Sequence, residues 1–270
     1  MPELPEVETV RRTLEHLIVG QTIIGLKILY PKIIQTDQEA FKEEIIGQTI
    51  KRMDRQGKHL IVILDHHALI IHLRMEGRFF YHEAGVSLTK HDHLVFELSS
   101  GYHLIYHDTR KFGTMHLYPL SSYQNCPPLH FVGPEPKDMD LDSFITRVQK
   151  RKTKVKAILL DQHVISGLGN IYVDETLFRA RIHPTRLGTS LSRDDIEVIL
   201  IQARQVLEEA TLQGGTTIRT FEPMEGVHGR FQQSLRVHTK VGEPCPICQT
   251  PILKIKVKGR GTYVCPTCQH

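Results

Sequence analysis

The opening residues Met1-Pro2-Glu3-Leu4-Pro5-Glu6 place a ring residue at position two and two carboxylates close behind it. A small residue at position two normally allows the initiator Met to be removed, so the mature chain would begin with the secondary amine of Pro2. A terminal amine titrates near ~8, against about 10.4 for a lysine, so a useful fraction is nucleophilic at neutral pH. Attack by a secondary amine on a sugar C1′ gives an iminium, which is permanently cationic and serves as an electron sink. Residues Pro5 to Leu17 read as a helix with Val7, Val10, Leu14 and Leu17 on one face. Its positive end would lie beside the amine and lower the amine's pKa further. The same residues also fit a capped surface helix, with Pro5 in the first turn and Glu6 answering the dipole.

A second chemistry lies at the other end of the chain. Cys245-x2-Cys248 and Cys265-x2-Cys268 are separated by sixteen residues, the spacing of a four-thiolate zinc site on a hairpin. Paired disulfides are the alternative, disfavoured in a chain without a secretion signal. A closed set of four thiolates makes the metal structural. Such a site would fix the Lys258-Gly259-Arg260-Gly261 turn, whose glycines let backbone approach a ligand while Arg260 projects. Cys126 stands outside the pattern.

Three weaker signals lie between. Ser166-Gly167-Leu168-Gly169-Asn170 precedes a helix and could grip a phosphate through backbone N–H groups, although glycine turns between helices are common. The loop Asp108-Thr109-Arg110-Lys111-Phe112-Gly113 sets an aromatic ring beside two cations, the stacking-plus-charge arrangement of nucleic-acid binders. Lys58 in a hairpin turn, with His72 and Met75 after a strand, completes the set. Each alone also reads as structural, and seventeen histidines make any single one uninformative.

The elements that must hold these residues follow from periodicity. Runs at Thr22–Leu29, Thr49–Gln56, His59–Leu64, Leu69–Leu73, His93–Leu98, Tyr102–Asp108 and Gly113–Tyr118 predict seven strands of a sandwich or barrel, with a helix inserted over Asp37–Ile46. Pro119 to Pro136 carries five prolines and reads as an interdomain linker. Helical periods follow at Leu141–Arg151, Val155–Leu160, Ile171–Ala180 and Ser192–Gln213, the last capped by Ser192. A polar, glycine-rich stretch at 214–233 reads as a loop. With 270 residues and 40% hydrophobic content, the chain can bury two domain cores plus an appendage. No run has the ~18 apolar residues of a membrane span and no signal segment is recognisable, so a cytoplasmic protein is expected. The net charge of +4 says little. Its distribution says more, with five cations between Lys150 and Lys156 and a basic tail at Lys240, Lys254, Lys256, Lys258 and Arg260, a two-patch layout suited to a phosphate backbone.

Taken together, Pro2-Glu3-Leu4-Pro5-Glu6-Val7-Glu8, His91-Asp92-His93, Lys111-Phe112-Gly113, Gly133-Pro134-Glu135-Pro136, Gly167-Leu168-Gly169-Asn170-Ile171-Tyr172, Gly214-Gly215-Thr216-Thr217 and the cysteine tail with Arg260 resemble the bacterial formamidopyrimidine-DNA glycosylases from end to end. The resemblance implies an α+β multidomain protein. A β-sandwich domain with flanking helices would cover 1–131, a helix-two-turn-helix α domain 132–235, and a zinc-finger hairpin 236–270. It implies base-excision repair: removal of 8-oxoguanine and formamidopyrimidines, then strand cleavage by β,δ-elimination. Double-stranded DNA bearing oxidised bases would be the partner, one structural Zn2+ the cofactor, and a monomer the working form, in the bacterial cytoplasm and on the nucleoid when bound to DNA.

By position, Pro2 would be the Schiff-base nucleophile and Glu3 the proton donor at the sugar, with Lys58 assisting β-elimination and Arg260 δ-elimination. Met75, Arg110 and Phe112 would fill the hole left by a flipped base. His91, Arg151 or Lys152, Asn170 and Arg260 would hold the DNA backbone, and Thr216–Phe221 would cover the lesion. Arg74 and Glu76, on either side of Met75, are expected to have no bearing on activity. An endonuclease VIII-type enzyme for oxidised pyrimidines is the nearest alternative, and a zinc-ribbon DNA binder without catalysis the alternative from another class.

Overall fold

The computed structural model describes residues 1–216 and 229–270. The stretch expected to cover a lesion therefore lies, from 217 onward, outside the described residues. The chain divides into two compact units, one holding Met1–His130 and the other Phe131–Thr216 with Arg230–His270 among the described residues.

The first unit is a sandwich of two four-stranded antiparallel sheets. One sheet has the order β1 (Ile23–Ile28), β6 (Asp92–Leu98), β7 (Tyr102–His107), β5 (Arg78–Glu83); the other has β2 (Arg52–Gln56), β3 (His59–Ile63), β4 (His67–His72), β8 (Thr114–Pro119). The inward faces contribute Leu60, Val62, Leu69, Ile71, Phe79, Phe96, Leu104 and Tyr106 to one core. Helices α1 (Leu4–Ile18) and α2 (Gln38–Ile45) flank it, with Val7, Val10 and Leu14 of α1 buried in that core. This is the expected sandwich, with eight strands where seven were predicted. The strand missed is β5, whose Arg-Phe-Phe-Tyr-His-Glu sequence puts Phe79 inside and Phe80 on the opposite face.

The Pro119–Pro136 segment is more than a linker. It makes 3-10 turns at Tyr123–Asn125 and Leu129–Phe131. Tyr123 and Leu129 from those turns pack with Ile61, Ile63, Ala68 and Ile70 into a small satellite core. Tertiary burial thus orders a stretch that has neither strand nor helix period.

In the second unit, α3 (Leu141–Gln149), the short α4 (Val155–Leu159), α5 (Asn170–Arg179) and α6 (Arg193–Leu212) form the helical part. Ser192 caps α6 as expected, accepting from the Asp195 N–H at 3.1 Å. The hairpin β9 (Leu253–Val257) and β10 (Arg260–Val264) packs its cysteine knuckles onto Phe178 of α5. Among the described residues, no helix is long and apolar enough to cross a membrane.

Candidate active site and nucleic-acid interface

The amino terminus is built into the first unit. Pro2 is buried, Glu3 and Glu6 are each 3% exposed, and Lys58 is 4% exposed. Glu6 accepts the Glu3 N–H at 2.8 Å, closing the first turn of α1. The helix is anchored one turn on by Glu8, which takes hydrogen bonds from Arg55 of β2 at 3.0 Å and from Arg11 and Arg12. Those guanidiniums outweigh burial and hold the Glu8 carboxyl down at about 2. Lys58 reaches the same region from the two-residue turn between β2 and β3, where Gly57 takes φ +57°.

The terminal amine, carried here by Met1, has its pKa lowered. Burial is the main cause and Lys58 pushes the same way, against the carboxylates of Glu3, Glu6 and Glu76. A chain terminus whose proton is held less tightly than usual, beside two carboxyl groups and an ammonium, is equipped for nucleophilic attack and proton transfer. Glu76 acts weakly on the amine through its charge, and its carboxylate accepts a short hydrogen bond from the Thr109 hydroxyl.

Thr109 begins the loop carrying Arg110 and Phe112, and the turn Leu73–Gly77 carries Met75. Two further devices hold loop and turn together. Asp108, fully buried, accepts the N–H groups of Arg110, Phe112 and Gly113, each at 2.9 Å. The Tyr106 hydroxyl lies against both ends: a Cβ at Gly113 would fall 1.6 Å from it and one at Gly77 2.4 Å. Burial, with the Asp108 charge beside it, pushes the Tyr106 phenol well above its ordinary value, so the hydroxyl stays protonated. What the loop presents is a half-exposed Phe112 ring with the Arg110 guanidinium 4.9 Å from its centre, an arrangement suited to insertion between bases. The Tyr106 contact with Gly77 has no local sequence signature, whereas the Asp108 bonds, two to five positions on, are a local loop motif in which an Asp accepts backbone N–H groups.

Three further histidines sit at the ends of the central strands β3 and β4 and just before β6. His72 and His59 are cross-strand partners with rings 4.6 Å apart. Burial holds His59 down at about 4 and His72 well below the usual histidine value. His72 Nδ1 accepts the Arg74 N–H at 2.9 Å, where Arg74 takes φ +56° and turns the chain toward Met75. His91 precedes β6, and its buried Nδ1 has no hydrogen-bond partner among the described residues.

In the second unit, Gln162 braces the glycine turn, donating to the carbonyls of Leu160 and Leu168 at 3.0 and 2.8 Å and accepting the Gly167 N–H at 3.0 Å. Asn170, at the first position of α5, donates to the Gly261 carbonyl at 3.0 Å, and Lys156 donates to the same carbonyl at 3.2 Å. Lys156 is fully buried and paired with Asp174 at 2.6 Å; Asp174 also bonds His238 at 2.8 Å. The exposed Arg260 is therefore held next to Asn170 through the residue that follows it. Of the two cations proposed to hold DNA after α3, Arg151 lies 3.4 Å from Asp161, while Lys152 is exposed.

The four cysteine sulfurs lie within 4.8 Å of one another. Cys245–Cys268 and Cys248–Cys265 separations are 3.8 and 3.4 Å, against the ~3.8 Å edge of a tetrahedron with Zn–S bonds of about 2.3 Å. Ile247 and Cys268 N–H groups point at sulfur, each at 3.4 Å. Donor number, type and spacing fit one structural zinc.

Fold and site define a protein of the helix-two-turn-helix class with an N-terminal sandwich. Family models described as the formamidopyrimidine-DNA glycosylase N-terminal domain, its H2TH domain and a zinc finger found in FPG and IleRS match residues 1–115, 132–222 and 242–270. The formamidopyrimidine-DNA glycosylase of Geobacillus kaustophilus is 50% identical over 274 residues, spanning 100% of both chains. That of Oceanobacillus iheyensis is 45% identical, spanning 100% of this chain and 98% of the relative. The Lactococcus lactis Fpg, solved in complex with abasic-site DNA, superposes with a TM-score of 0.94 at 42% identity, covering 99% of each chain. The chain belongs to the formamidopyrimidine-DNA glycosylase family.

Proposed function

We propose that this protein is a bifunctional DNA glycosylase and abasic-site lyase of base-excision repair, acting on 8-oxoguanine and formamidopyrimidines in double-stranded DNA. The observation that carries the reading is the burial of Pro2 at the head of the chain together with Glu3, Glu6 and Lys58, whose charges act on the chain terminus. With Met1 removed, the Pro2 nitrogen attacks C1′ as the glycosidic bond breaks and the electron pair leaves with the base; the bound amine then gives up its N–H proton, its lone pair opens the C1′–O4′ bond, and Glu3 delivers a proton to O4′. The resulting iminium acidifies C2′, so loss of a C2′ proton expels the 3′ phosphate, with Lys58 assisting. Arg260 serves the second elimination.

Met75, Arg110 and Phe112 fill the gap in the stack, a role supported by the contact of the Tyr106 hydroxyl with both the turn and the loop that carry them. His91, Asn170, Arg260 and Arg151 or Lys152 hold phosphates, and Lys152, the more exposed of that pair, is the better placed. The zinc hairpin sets the position of Arg260. Domains at 1–131, 132–235 and 236–270, a monomeric form, and a place in the bacterial cytoplasm and on the nucleoid complete the reading.

Borohydride reduction tests it. Protein lacking Met1, mixed with a duplex holding 8-oxoguanine opposite cytosine, should give a covalent adduct. Glu3→Gln should still bind that duplex but fail to release the base, while cleaving a preformed abasic site in part. A protein that binds the lesion duplex without adduct or cleavage would leave a non-catalytic DNA binder. Preference for oxidised pyrimidines over 8-oxoguanine would point to the endonuclease VIII-type specificity instead.

A further inference from the structure

The outward face of the β1-β6-β7-β5 sheet carries a second cavity that the reaction above does not use. Register stacks its side chains in three rows across the strands: Asp92, His107 and Arg78; Val95, Ile105 and Phe80; Glu97, His103 and His82. An outward sandwich face is ordinarily polar and bathed in water. Here Val95 and Ile105 are 1% and 2% exposed although neither belongs to the interior core. The segment between β5 and β6 brings Val86, Ser87 and Thr89 to this face, where they form an open cleft of about 440 Å³ with Arg78, Phe80, His82, Asp92, Ile105 and His107.

The lining holds one fixed cation, Arg78, and one carboxylate, Asp92, and among the described residues only the carboxylate has partners. The Asp92 carboxylate is already taken up by Thr89, through its N–H and hydroxyl, and by His107 at 2.8 Å. Arg78 has no carboxylate partner among the described residues, and its buried Nε has no hydrogen-bond partner there. Beside it, the Phe80 and His82 rings lie near parallel, 27° apart with centres separated by 5.8 Å. An unpaired guanidinium selects an anion and matches phosphate geometry. The adjoining planar rings and apolar walls give a flat heterocycle a surface to stack on. The volume falls in the range of small-molecule sites, about 300–1,000 Å³, and exceeds what an inorganic anion needs. We propose that this cavity is a nucleotide site, taking a phosphate on Arg78 and a base against Phe80, supplied either as a free mononucleotide or as an unpaired nucleotide at a DNA end.

The test uses the zinc-loaded full chain and dAMP as probe, followed by amide NMR shifts. Saturable shifts centred on Phe80, Ser87 and Thr89 are expected. Arg78→Gln should weaken dAMP about tenfold or more, the worth of a charge-assisted phosphate contact, while leaving incision of a blunt lesion duplex unchanged. Phe80→Leu should weaken it about fivefold or more, the worth of a lost stack, and should leave inorganic phosphate binding intact. Displacement of dAMP by a duplex with a single-stranded overhang, but not by a blunt one, assigns the strand end as the source; displacement by neither assigns the free nucleotide. Shifts centred on Glu3, Lys58 and Phe112 instead, or equal dAMP affinity in Arg78→Gln, would overturn the assignment.

Discussion

Replacing Asp108 by Asn is the most searching test of how the first unit presents Arg110 and Phe112. Its carboxylate accepts three backbone N–H groups at 2.9 Å, one on Oδ1 and two on Oδ2. Asparagine has the same shape but only one acceptor oxygen. If that oxygen serves Phe112 and Gly113, the Arg110 N–H faces an amide NH2. The change removes at least one hydrogen bond to a charged acceptor, worth about 1.5–3 kcal/mol, and leaves a donor opposed by a donor, costing about 1–3 kcal/mol. The two overlap, so a loss of about 2–4 kcal/mol is expected. Urea denaturation of the full chain reads it in the first unit's transition, and fluorescence anisotropy reads lesion-duplex binding. Binding should fall by at least as much as in Phe112→Ala, because the whole loop loosens. A stability change within ~0.5 kcal/mol, typical of a surface substitution, together with unaltered binding would refute the assignment of Asp108 as the loop's organiser.

Other outcomes follow from the same geometry. Phe112→Ala should weaken lesion-duplex binding by about 1–3 kcal/mol, the worth of a stacked aromatic, and an unchanged affinity would count against its role as a wedge. Zinc chelation, or Cys248→Ser, should unfold the hairpin and abolish DNA binding while the sandwich unit keeps its own denaturation transition, because metal binding there is folding energy. About five phosphate contacts predict a slope of roughly −4 to −5 for log affinity against log salt, and a flat response would remove the nucleic-acid reading. His59 is lowered from 6.5 to about 4 in the folded chain, so the unfolded state binds the extra proton between those values. Stability is then complete above about pH 6.5 and declines as pH falls toward 4, by up to roughly 3 kcal/mol; His59→Gln should flatten that limb in a pH series of urea midpoints.

The elements read most directly from sequence were those with local signatures. α1 shows its apolar face at Val7, Val10 and Leu14, the β2–β3 hairpin shows Gly57-Lys58, and the thiolate set shows its spacing. β5 was missed because Phe79 and Phe80 put aromatic rings on both faces, which erases a polar–apolar alternation. The Tyr123 and Leu129 turns were read as linker because 3-10 geometry has neither strand nor helix period. At the site, Pro2, Glu3 and Lys58 were recognisable from family motifs, but their burial was not. Glu76 was set aside because a turn residue beside Met75 carries no sign of the amine it acts on or of Thr109, more than thirty positions away. Tyr106 against Gly77 and the Lys156–Asp174 pair act through contacts distant in sequence, visible only once the elements are in place, whereas Asp108 bonds N–H groups two to five positions on, a local loop motif that periodicity does not register.

The Tyr106 hydroxyl, caught between Gly77 and Gly113, has a consequence for how this protein can change over generations. An added methyl at either glycine meets the same oxygen, so the Met75 turn and the Phe112 loop share one steric constraint. In a library randomised at 77, 106 and 113 and selected for folding, alanine at 113 should be recovered chiefly with a side chain smaller than phenylalanine at 106, because ring Cζ also lies 2.7 Å from the added methyl, whereas alanine at 77 should stay rare, because the Leu73 carbonyl oxygen lies 2.6 Å from it. The Phe112 loop could then drift only together with the residue at 106, while the Met75 turn stays held by its own backbone as well.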